Sequence, residues 1–92
     1  MVEEIRCKNI HGSIVWFLGR HIHRVDGPAV TRPDGKLIWF HFNKIHREDG
    51  PAVINPDGST EWYLNGDLIE FKSVEDWQDK VKIYHIGKVM GV

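Results

Sequence analysis

The chain has 92 residues, 27% charged and 41% hydrophobic, with a formal net charge of −1 and one cysteine. That length bounds one domain with a modest core, and a lone cysteine excludes an internal disulfide and a cysteine-built zinc cage. The charge is uneven: residues 1 to 47 hold eight Lys/Arg against four Asp/Glu, residues 48 to 92 four against nine, or +4 and −5.

Met1 to Asn9 contains acids and no apolar core, and no apolar run approaches the ~20 residues of a membrane helix. The expectation is a soluble, cytoplasmic protein without a membrane span. Val2 to Lys8 alternates weakly and is read as an edge strand, with Asn9 to Gly12 as a turn. In Ser13 to Leu18, Ile14, Trp16 and Leu18 share one face and Val15 and Phe17 the other, as a strand demands.

After a turn at Gly19-Arg20, Ile22 to Thr31 is expected as one strand interrupted at Asp26-Gly27-Pro28 by a bulge or bend, since proline donates nothing to a ladder. Pro33-Asp34-Gly35 reads as a hairpin turn and Lys36 to Phe42 as the partner strand. Lys44 to Leu64 repeats this, with Asn55-Pro56-Asp57-Gly58 as the hairpin; Asn65-Gly66 is a strong two-residue turn, and Asp67 to Phe71 returns as the last strand. Ser73 followed by Asp76 opens a helix to about Ile86, with Val74, Trp77, Val81 and Tyr84 as its apolar stripe, Gly87 at its end and a short tail behind it.

The landmarks recur every 23 residues: His23 and His46; Gly12, Gly35 and Gly58; Trp16, Trp39 and Trp62. A fixed period means one small unit stacked on itself. The chain is thus read as a single domain: an edge strand and turn over 1–11, repeats over 12–71, a helix over 73–86 and a tail over 87–92. Superposing the copies predicts two aromatic rows, Trp16, Trp39 and Trp62 on one face and Phe17, Phe40 and Tyr63 on the other.

A 23-residue unit with Asp-Gly at a hairpin, an aromatic strand and Asn-Gly before a polar return resembles the MORN repeat, and the strings HRVDGPA and HREDGPA resemble its bacterial and viral variant. Asp57 to Glu70 is the best-matching copy; the first lacks a preceding Asp-Gly, and the middle one has Phe42-Asn43 where Asn-Gly is expected. The resemblance implies a mainly β chain: hairpins in one elongated antiparallel sheet of six or seven strands closed by a C-terminal helix. It further implies protein contacts and self-association, and, by analogy with small phage and viral proteins, a part in binding and blocking a host defence protein in the host cytoplasm.

Six histidines suggest a metal, but His23 and His46 hold one repeat position, so a side chain bonding the Asp-Gly-Pro bend in each copy is the favoured reading. The Asp-Gly pairs lack the oxygen spacing of a calcium loop, and no nucleophile and base are paired. Neither a cofactor nor an enzyme is expected, and Cys7 is read as a small apolar residue. The expected binding surface is whichever aromatic row the helix leaves uncovered, rimmed by Arg24, Arg32 and Arg47, with a protein partner or a second copy on it. The alternative is single-stranded nucleic acid, its bases stacked on the aromatics and its phosphates along the basic half.

Overall fold

The computed structural model describes residues 4 to 89; Val2 and Glu3 of the expected edge strand and the end of the tail lie outside them. Among the described residues the chain is mainly β, with eleven strands in antiparallel sheets and one C-terminal helix. β1 (Ile5–Ile10) and β2 (Ser13–Leu18) form the first hairpin around His11-Gly12, paired from Ile5 with Leu18 to Ile10 with Ser13. β3 (His21–Ile22) then folds back on the second half of β2.

The expected strand from Ile22 to Thr31 is not one strand. The Asp26-Gly27-Pro28 interruption separates β3 from β4 (Val30–Thr31), which pairs with the first half of β2 instead. β4 turns at Pro33-Asp34-Gly35 into β5 (Leu37–Ile38), with Gly35 at φ +95°, a left-handed position that glycine takes without steric conflict. The expected strand Lys36 to Phe42 likewise splits at Trp39, and β6 (Phe40–His41) pairs with β7 (Lys44–Ile45) as a separate ribbon.

The next copy repeats the plan in β8 (Val53–Ile54), β9 (Thr60–Glu61), β10 (Tyr63–Leu64) and β11 (Asp67–Leu68). The expected single elongated sheet is therefore divided. A seven-stranded sheet, ordered β1-β2-β4-β5-β8-β9 with β3 attached to β2, is accompanied by the ribbons β6-β7 and β10-β11.

The tryptophans make the division. Trp16 N–H donates to Ala29 C=O at 2.8 Å while its own C=O accepts His23 N–H at 3.0 Å; Trp39 makes the same two bonds, to Ala52 and from His46, at the same lengths. β2 therefore exchanges β4 for β3 at Trp16 within the main sheet, and at Trp39 the chain passes from the main sheet to the β6-β7 ribbon. Ala29 and Ala52, opposite the tryptophans, are fully buried; with Val15, Val53, Leu64 and Trp77 they form the small core.

Helix α1 (Val74–Val89) runs through Gly87 rather than ending before it. Ser73 Oγ accepts Asp76 N–H at 3.1 Å, the cap expected from the sequence. Trp77 is buried, and Val81 and Tyr84 are half-buried, whereas Val74 of the expected stripe is exposed, as are Ile83 and Ile86. The helix does not lie along a whole aromatic row: it meets the array at Trp62, Phe71, His46 and Glu48.

Candidate functional site

The HRxDGPA string folds into a self-satisfied unit. In the first copy, Arg24 lays its guanidinium 4.1 Å from the Trp16 ring centre, donates from Nε to Asp26 at 2.9 Å and from Nη1 to Pro28 C=O at 3.3 Å. In the second, Arg47 does the same with Trp39 at 4.1 Å, Asp49 at 2.9 Å and Pro51 C=O at 3.1 Å. The hydrogen bond from Arg24, and then its charge, hold the Asp26 carboxyl below its ordinary pKa. The glycine has a steric reason: a Cβ on Gly27 would sit 2.9 Å from Arg24 Cζ, and on Gly50 2.7 Å from Arg47 Cζ.

The histidines do something other than bond that bend. His23 Nδ1 accepts the Phe42 N–H at 3.2 Å, and His46 Nδ1 accepts the Asn65 N–H at 2.8 Å. Each ties its own copy to the ribbon turn of the next. Because Nδ1 is the acceptor, both rings carry their proton on Nε2 in this arrangement. His23 is buried, and burial first, then the nearby His21, push its pKa below the ordinary histidine value.

His46 Nε2 lies 2.9 Å from Glu48 Oε2, and His85 of α1 lies 2.7 Å from Glu48 Oε1, so one carboxylate joins the array to the helix. Burial raises the Glu48 pKa, but hydrogen bonds and charge from His85 and His46 outweigh it, and the net direction is down. Glu48 and Val25 occupy the same repeat position. That mismatch was the available signal for Glu48 and, through it, for His85.

The imidazoles continue as a row, with His23 and His41 centred 4.8 Å apart, His41 and His46 5.6 Å, and His46 and Tyr84 5.3 Å. Among the described residues no three His, Cys, Asp or Glu side chains converge as a metal site. Against this row lies Phe42, its ring centred 4.3 Å from that of His23. Phe42 has φ +48°, a left-handed conformation uncommon for a bulky residue, and is 47% exposed.

Phe42 forms one wall of a groove of about 730 Å³ between the ribbons and the C-terminal half of α1. Leu64, Ile69 and Ile83 supply its other apolar surface, and Lys44 and Lys80 stand on its rim. Among the described residues neither lysine forms an ion pair.

The expected docking residues are distributed differently. Trp16 and Trp39 are half-buried under their arginines, and Trp62 is half-buried against Phe71 at 4.9 Å and Trp77 at 4.8 Å. Phe17, Phe40 and Tyr63 are half-buried in strands, and the Phe40 and Tyr63 carbonyls accept the Arg24 and Arg47 N–H groups. Arg24 and Arg47 are thus engaged within the chain, while Arg32 is exposed beside its hairpin turn. Sequence reasoning missed Phe42 as a surface feature because an aromatic in a two-residue turn reads as degeneracy.

No helix among the described residues is long and apolar enough to cross a membrane. No protein-family model, curated protein or solved structure matches the chain; the resemblance to MORN repeats rests on the residues quoted above.

Proposed function

We propose that the chain is a non-catalytic protein-binding module that docks through the groove beside Phe42 and occludes the surface it covers. Phe42 carries this reading. A turn with two left-handed residues favours Asn-Gly, as at Asn65-Gly66, where φ is +52° and +88°. Holding a phenylalanine there costs about 1 kcal/mol or more, and strain of this kind concentrates where contact is made. Its exposed ring, the apolar groove lining and the charged groups of Lys44, Lys80 and Asp67 form a surface that is apolar and charged together. A host protein is the partner class that the resemblance to small phage and viral proteins suggests.

The engagement of Arg24 and Arg47 inside the chain favours a protein over single-stranded nucleic acid, which needs cations free for phosphates. The test compares wild type with Phe42→Asn in affinity capture from host lysate, with and without nuclease. The variant should fold at least as stably and lose a nuclease-resistant protein that the wild type retains. Equal capture by both would remove the groove from the site, and loss of all captured material on nuclease treatment would transfer the reading to nucleic acid.

A further inference from the structure

The main sheet ends differently on its two sides. One row of directly opposed residues crosses all six strands of its path: Lys8, Val15, Val30, Ile38, Val53 and Glu61. The adjacent row is Asn9, Ile14, Thr31, Leu37, Ile54 and Thr60. Each row ends in polar residues, and the first ends in opposite charges.

The two edge strands are complementary in kind. β9 stands one period after β5 and two after the first half of β2, and β5 is flanked on both sides by strands of the β4 and β8 type. Among the described residues β9 has β8 on one side only. β1 holds on β2 the place that β4 and β8 hold elsewhere, and among the described residues its own outer side is unpaired. What the end of the array lacks is therefore a strand like the one that begins it.

The backbone marks the gap. Trp16 and Trp39 donate their N–H groups to Ala29 and Ala52, but among the described residues the Trp62 N–H has no acceptor. Unpaired strand edges are templates for pairing, and a charge placed on them selects the partner.

We infer that the chain associates head to tail with further copies of itself, the β1 edge of one copy adding to the β9 edge of the next. Continuing the observed register places Lys8 opposite Glu61 and Asn9 opposite Thr60. Opposite charges directly across a ladder stabilise it and like charges destabilise it, so pairing β1 with β1 or β9 with β9 about either charged residue is disfavoured. The +4 and −5 halves of the chain add a long-range term of the same sense. The contact does not close on itself unless the copies form a ring, so it extends with concentration. It uses the sheet ends rather than the groove, so it stands or falls independently of the docking proposal.

Sedimentation analysis across a concentration series, at low and high salt, measures this directly. The weight-average mass should rise beyond that of a dimer at low salt and fall back at high salt. Lys8→Glu should return it to the monomer without lowering the thermal midpoint, because Lys8 is exposed and in no ion pair among the described residues. A zero-length carbodiimide should join Lys8 to Glu61. Five strand spacings, or about 24 Å, separate them within one chain, so such a link is intermolecular. A monomer at every concentration, or a dimer or larger species that Lys8→Glu leaves unchanged, would overturn the inference.

Discussion

Trp16 and Trp39 are covered by guanidinium groups, whereas Trp62 is covered by Trp77 and Phe71. The residue eight places after each tryptophan is Arg24, Arg47 and then Glu70. Where the arginine is missing, the helix supplies a flat group in its stead and anchors it by donating Trp77 Nε1–H to Glu48 C=O at 2.7 Å. A half-buried indole in this array needs a planar cover. An interior copy takes it from its own HRxDGPA loop, and the last copy takes it from a different element.

Removing the terminal cover should have the largest effect. Trp77→Ala takes a buried ring from the core and leaves Trp62 uncovered, with an expected loss of about 3–5 kcal/mol in a chemical-denaturation midpoint. A loss below 1 kcal/mol would mean that the helix is an appendage rather than the end of the array.

The interior cover is open to a double-mutant cycle. Arg47→Ala should cost about 2 kcal/mol, from the lost ring contact and the bond to Pro51 C=O, since the pair with exposed Asp49 is screened by water. Gly50→Ala should be destabilising alone, because its Cβ displaces the guanidinium, and close to neutral once Arg47 is gone. Additive effects would show that the glycine serves its own backbone and not the arginine.

Acid should loosen the ties between copies. A folded-state pKa below the unfolded value means that protonation favours the unfolded chain, so the His23 contribution is present above about pH 6.5 and is lost as pH falls from there through its lowered value. The Phe42 N–H loses its acceptor in the same step. The Glu48 contribution is lost at lower pH, through its own depressed pKa. Thermal midpoints should therefore fall in two stages, and His23→Gln should flatten the first.

Much of this was legible in the sequence, for identifiable reasons. The period, the hairpins at Gly35 and Gly58, the turn at Asn65-Gly66 and the Ser73 cap are set by residues whose local chemistry admits few alternatives. The splitting of the strands at Trp39 and after Ile22 was not, because it depends on which neighbour receives each peptide group, a long-range matter that alternation does not encode. Arg24 and Arg47 read as a surface rim for the same reason: the sequence shows their charge, while only the fold brings Trp16 and Trp39 under them.

The smallest expected effect tests the one place where the two loops differ in kind. Val25 is 75% exposed at the position where Glu48 joins His46 to His85. Val25→Glu should change stability by no more than about 0.5 kcal/mol, since α1 with its His85 is seated one copy further on. The reciprocal change, Glu48→Val, takes away the acceptor for two imidazoles and a carboxylate that joins α1 to the array. It should lower the denaturation midpoint clearly, and it should raise amide exchange in α1 without doing so in the ribbon β6-β7, whose own backbone pairing it does not touch. Equal, negligible changes from both substitutions would assign the seating of the helix to its aromatic contacts, Trp77 and Tyr84, rather than to Glu48.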